Sequence, residues 1–184
     1  LIPAFAVGRS QEILYHLGKH FEQWGIGRWH IFLDSPLGIE ASEIYWNYEH
    51  LFDEEASRIF REDVIMPKLP NLHFSRSAEE SRVINRLRGG AIVIAGSGMC
   101  NGGRILHHFR HNIERRETHV LFTGYQPPGT LGRRIIDGAD SIRIYRETYR
   151  VRATTHTIGG MSAHGDQADL LRWFQGIEGN PPVH

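Results

Sequence analysis

The stretch Thr157 to Phe174, TIGGMSAHGDQADLLRWF, places a hydroxyl (Ser162) and an imidazole (His164) among glycines, just where a strand pattern hands over to an amphipathic helix. A plain connection needs a cap and one glycine. Asp166, with Asp169 three residues on in capping-box spacing, supplies the cap by itself. That leaves His164 unexplained. An imidazole immediately before a helix N-terminus can bind or protonate a phosphate-ester oxygen, and Ser162, Ala163 and Gly165 form the turn around it. Arg9 raises a similar question. It follows Gly8 at the start of a helical pattern, where the helix dipole disfavours a cation. Contact with a phosphate would offset that penalty.

These two stretches belong to a set of five glycine-bearing segments. GRSQE, DSPLG, GSGMCNGGR, GYQPPGT and GMSAHGD each follow an apolar run. One such loop reads as an ordinary crossover turn. Five on one sheet edge point to a shared anionic ligand. GSGMCNGGR opens a helix after a strand, as a dinucleotide-binding loop does, but its spacing is G-x-G-x-x-x-G-G. The next strand ends in Thr123-Gly124, without the acid that holds a ribose. A nicotinamide-type dehydrogenase is therefore disfavoured, and no P-loop is present. His107 and His111 are four apart, but opposite the Ile105/Leu106/Phe109/Ile113 face, so they read as solvated. His16 and His20 flank an apolar helix face. Neither pair has a third ligand at an obvious spacing.

The elements that must position these loops alternate along the chain. Strand patterns cover Leu1 to Val7, Trp29 to Asp34, the NLHFS segment, Ala91 to Gly96 and His119 to Tyr125. Helical patterns cover Ser10 to Trp24, Ile39 to Leu51, Asp53 to Asp63, Ala78 to Arg88, Arg104 to Ile113, Leu131 to Ile136 and Asp166 to Gln175. Ser141 to Thr157 alternates like paired strands. This order predicts an α/β fold, a mostly parallel sheet flanked by helices, with its ligand crevice beyond the carboxyl ends of the strands. The 184 residues are 40% hydrophobic and 23% charged, a normal globular composition. Lys+Arg and Asp+Glu both number 21, so any nucleic-acid surface must be a local basic patch. The single cysteine, Cys100, excludes a disulfide framework and suits a reducing compartment, with the cytoplasm as the expected location. No apolar run is long enough to span a bilayer, so no membrane partner is expected. LIPAFAV at one end and NPPVH at the other read as interrupted strands, which predicts a piece of a longer protein.

PAFAVGRSQEILYHL, IFLDSPLG, IVIAGSGMCNGGRILHHF, LFTGYQPPGTLGRRI and HTIGGMSAHGDQADLLRWF, taken in this order, resemble the β-CASP family of metallo-β-lactamase-fold ribonucleases. The closest likeness is to its bacterial RNA-processing exonucleases. The resemblance implies a β-CASP cap domain over residues 1–176, truncated at its start. Residues 177–184 would then return toward a metallo-β-lactamase domain of the same polypeptide, absent from this chain. It implies that His164, in Met161-Ser162-Ala163-His164-Gly165, is the family's motif B histidine and sits beside the catalytic metals as the catalytic residue. Met161 and Gly165 depart from the family's phenylalanine and alanine. Ser162, Ala163, Gly165, Arg9, Ser97 and Gly98 would line the substrate phosphate. Two zinc ions are the implied cofactor, with ligands outside this chain: H-x-H-x-D-H is missing, and PPVH stops short of the motif C histidine, so His184 corresponds to a strand residue before it. The implied full-length activity is metal-dependent hydrolysis of single-stranded RNA in processing or decay, with this piece inactive alone. A stand-alone RNA- or nucleotide-binding module without catalysis is the other reading. Oligomeric state stays open, a homodimer being one form it admits.

Overall fold

A computed structural model of the chain describes residues 1–60, 69–161 and 165–177. The strands β1 (Ile2–Pro3), β2 (His30–Asp34), β3 (Leu72–Phe74) and β4 (Ala91–Ala95) form one parallel sheet in the order β1-β4-β2-β3. β5 (His119–Phe122) lies beside β1: the Leu1 amine donates to His119 O at 2.6 Å and the Leu121 amide to Leu1 O at 2.9 Å. β8 (Thr154–Thr157) pairs in parallel with β5 on its far side. Parallel strands need crossover connections, and helices supply them. These are α1 (Arg9–Lys19), α2 (Pro36–Asn47), α3 (Glu54–Phe60), α4 (Ala78–Ile84), α5 (Gly103–Asn112) and α6 (Leu131–Ile136), with α7 (Gln167–Gln175) after β8. The expected α/β class and mostly parallel sheet are what the structure has.

Two cores sit on the two faces of the sheet. Along β2 and β4, Ile31, Leu33 and Ile94 turn to one face, where they meet Ile13, Leu14 and Leu17 of α1 and Ile39 of α2. Val93 and Ala95 turn to the other, where they meet Ile105 and Phe109 of α5, Ile135 of α6, and Val120 and Phe122 of β5. Period-2 alternation in the strands against 3.6-residue periodicity in the helices is what separates these sets. β4 is buried on both faces, which accounts for its unbroken apolar run. β6 (Ser141–Ile144) and β7 (Glu147–Arg150) form an antiparallel hairpin that lays Ile142 and Ile144 against the second core. The alternating stretch Ser141 to Thr157 thus divides between this hairpin and a main-sheet strand.

Several boundaries differ from those read in the sequence. The first strand is two residues long rather than seven. After Ala4 the chain turns, and Phe5 O accepts both the amide and the hydroxyl of Ser10 at the start of α1. α1 ends at Lys19, and Trp24 lies beyond it, stacked on His20, after which Gly25 takes a left-handed conformation (φ 61°). α2 begins three residues early because Ser35 caps it, its Oγ accepting from Gly38 N at 3.1 Å, with Pro36 at the first helical position. α4 opens with a capping box between Ser77 and Glu80, and α7 with the expected one between Asp166 and Asp169.

Candidate functional site at the carboxyl edge of the sheet

Four loops that follow strands touch one another at the carboxyl edge. The loop after β1 lays the Phe5 ring against Gly98, where a β-carbon would come within 2.9 Å of that ring. The loop after β5 reaches the same residue, Gln126 Nε2 donating to Gly98 O at 2.8 Å. The loop after β2 meets the loop after β4, since a β-carbon on Gly96 would lie 3.7 Å from Ser35 Oγ. Gln11, one turn into α1, donates through Nε2 to Ala6 O, Gly38 O and Ser42 Oγ, and so joins the loops after β1 and β2. Helices α1 and α5 both start on glycine, at Gly8 and Gly102, and no side chain caps either. Glycine here lets backbone approach backbone, or a ligand, without a side chain between them.

The sequence-predicted residues fall on this edge unevenly. Ser97 and Gly98 are at its centre. Ser97 Oγ accepts from the Asn101 amide at 3.2 Å, which shapes the loop. Arg9 is at the start of α1, mostly buried, with Nη1 2.8 Å from Glu12 Oε2 and its Nε unpartnered. Its charge is answered inside the chain by Glu12. Ser162, Ala163 and His164, and likewise His184, lie outside the described residues. Gly165 is exposed just ahead of the Asp166 cap, and Met161 packs against the first core. His107 and His111 are exposed, as expected. Cys100 is buried, and desolvation pushes its thiol up to about 12.

Below the edge lies a polar cluster that the motif reading passed over. Asp34, the last residue of β2, is fully buried. Arg104 Nη1 donates to its Oδ1 at 2.5 Å, while Ser81 Oγ and His108 Nε2 each lie 2.6 Å from its Oδ2. Burial alone would raise this carboxyl. Hydrogen bonds from His108, Ser81, Ser75 and Arg104 outweigh that and hold it at about 2. Arg104 also donates to Ser75 O at 2.6 Å and to Arg76 O at 2.7 Å, so one guanidinium ties the ends of β2 and β3 to the first turn of α5. A signal for this was present: Arg104, His108 and Asn112 recur every four residues, a polar stripe on the sheet-facing side of α5.

Among the described residues, no three or more His, Cys, Asp or Glu side chains come together to hold a metal ion. Among the same residues, no helix is long and apolar enough to cross a membrane.

The Beta-Casp domain model matches residues 10–135, and the model described as "Zn-dependent metallo-hydrolase RNA specificity domain" matches residues 148–183. Ribonuclease TTHA0252 of Thermus thermophilus is 41% identical over 176 residues, which are 96% of this chain and 40% of that protein. Transcription termination factor FttA of Methanocaldococcus jannaschii is 31% identical over 189 residues, 98% of this chain and 29% of that protein. An RNase J-like protein of the same organism is 29% identical over 177 residues, again covering 40% of its length. The chain therefore spans less than half of each of these relatives.

Proposed function

The chain belongs to the Beta-Casp domain family, and from that premise we propose that it is the substrate-binding cap of a ribonuclease that hydrolyses RNA phosphodiester bonds with zinc. The observation that carries this reading is the convergence of the loops after β1, β2, β4 and β5 on Gly98 and its neighbours, at an edge where two helices begin without a side-chain cap. Such an edge offers main-chain N–H groups and positive dipole ends to a phosphate, with no acidic side chain needed or wanted. The Ser97–Gly98 loop would hold the backbone of single-stranded RNA. Arg9 would contribute if substrate draws it from Glu12. Ser162, Ala163 and Gly165 would complete the phosphate contacts, and His164 would be the catalytic histidine, hydrogen-bonding the scissile phosphate. The second matched model, over residues 148–183, supports placing this turn in the RNA-reading part of a metallo-hydrolase.

On this reading the β-CASP domain extends to residue 176. Residues 177–184 lead toward a metallo-β-lactamase domain of the same polypeptide, whose ligands hold two zinc ions. The chain alone is then inert, and the full-length enzyme acts in the cytoplasm.

The test is cleavage of 5′-labelled single-stranded RNA, with zinc or manganese, by the full-length protein, by its His164→Ala variant and by this chain alone. The expected result is cleavage by the wild type, loss of about 100-fold or more in the folded variant, in the range that general acid–base groups contribute, and none by the chain alone. Wild-type rates in His164→Ala would refute the histidine's role. Cleavage by the isolated chain would refute the cap reading.

A further inference from the structure

We infer that His108 is held as an imidazolium, and that His108 and Arg104 act through Asp34 as positioning residues for the carboxyl edge. The second half of this inference rests on the proposed function; the first does not.

The protonation state follows from tracing donors through the cluster. Arg115 is anchored by Nη2 on Arg88 O at 2.6 Å, and its Nη1 lies 2.9 Å from Asn112 Oδ1. A guanidinium only donates, so Asn112 must present its oxygen there. Asn112 Nδ2 is then the donor, bonding His108 O at 3.0 Å and Asn85 Oδ1 at 3.2 Å. Asn85 therefore presents an oxygen to His108 Nδ1 at 2.9 Å, and its own Nδ2 points to Ser81 O. On the other side of the ring, Nε2 faces the ionised Asp34 carboxylate at 2.6 Å. Both ring nitrogens face acceptors, so both carry hydrogens. The relay runs from Arg115 to Asp34 and fixes every amide orientation along it.

The cluster then holds two cations, His108 and Arg104, on one buried carboxylate. Glu80, at the exposed start of α4, feels Arg104, and its Oε2 accepts from the backbone N–H groups of both Arg76 and Ser77. The excess positive charge lies under the edge where the proposed phosphate would sit. Low-dielectric surroundings extend its reach. Arg104 carries the mechanical part of the role. It is the second residue of α5, directly after the loop bearing Ser97 and Gly98, and its fork grips the ends of β2 and β3. Those bonds fix the start of α5, from which the loop runs back to β4.

Nitrogen-15 NMR of the full-length protein, labelled on histidine nitrogen, tests the first half, with His108→Gln identifying the resonances. Both ring nitrogens of His108 should show attached protons at neutral pH. A bare nitrogen on His108 overturns the assignment. Steady-state kinetics on single-stranded RNA tests the second half. Arg104→Gln should raise KM about 10-fold or more, the scale of effects from groups that orient a site indirectly, with kcat close to wild type. Arg104→Lys, which keeps the charge but lacks the fork, should raise KM less and should fold. A purely structural role would lower the active fraction, and so the apparent kcat, with KM unchanged; that result overturns positioning. A wild-type protein inert toward RNA would refute the proposed function and with it the positioning role, while the imidazolium would still be judged on the nitrogen signals alone.

Discussion

At the scale of single residues, Asp34 makes the sharpest prediction. Its carboxyl is held at about 2 in the folded chain, against 3.8 as the ordinary value. A depressed carboxylate contributes stability that is complete above the unfolded value and is lost as pH falls through the folded one. The window is therefore roughly pH 4 down to pH 2, and the contribution is about 2 kcal/mol. Urea unfolding across this window should show a slope in the wild type that is much reduced in Asp34→Asn. The same substitution should cost about 3–5 kcal/mol at neutral pH, because it leaves the buried His108 and the partly buried Arg104 without their counter-charge. Cys100 gives an opposite prediction. Its thiol is buried and pushed up to about 12, so the thiolate needed for reaction is absent at pH 8. Iodoacetamide should leave the native chain unmodified and label it fully in urea. Rapid native labelling would contradict the placement of Cys100.

At the scale of elements, the loop before α5 is the tightest junction. Gly103 takes φ +70°, and a β-carbon on it would come within 2.4 Å of Gly96 O. The neighbouring bond from Ile105 N to Gly96 O, at 2.8 Å, depends on that approach. Gly103→Ala should therefore lower stability by about 2 kcal/mol or more, from positive-φ strain and the displaced carbonyl together. Thermal unfolding would show it as a clear drop in Tm. Further along the same helix, Phe109 is fully buried in the second core. Phe109→Ala should cost about 3–5 kcal/mol by opening a cavity, measurable by urea denaturation. A cost below 1 kcal/mol would mean that α5 does not pack on the sheet as described.

At the scale of the whole molecule, α7 stands apart. Leu170, Leu171, Trp173 and Phe174 are all more than half exposed, although the helix is well capped and amphipathic. Apolar surface of this kind marks an interaction face. Under the proposed function, the neighbouring catalytic domain would cover it. The chain alone should bind an apolar dye such as anilinonaphthalene sulfonate at this face, and replacing Leu170 and Trp173 with serine should reduce the fluorescence by more than half. Unchanged dye binding would place the exposed patch elsewhere.

The sequence by itself determined the α/β class and the parallel crossovers, because hydrophobic period and glycine placement are local properties. The capping box at Asp166 and the bounds of α6 were legible for the same reason. Only the tertiary structure decided which loops meet. Phe5, Gly98 and Gln126 are far apart in the chain and share no pattern; they touch because β1, β4 and β5 lie close together in the sheet. The same is true of Asp34, Ser81, Arg104 and His108. Their meeting depends on α4 and α5 packing across the end of β2, and no spacing along the chain encodes that. Arg9 shows the converse. Its position suggested a free cation, but folding placed Glu12 one helical turn away, within 2.8 Å, and a local ion pair took up the charge.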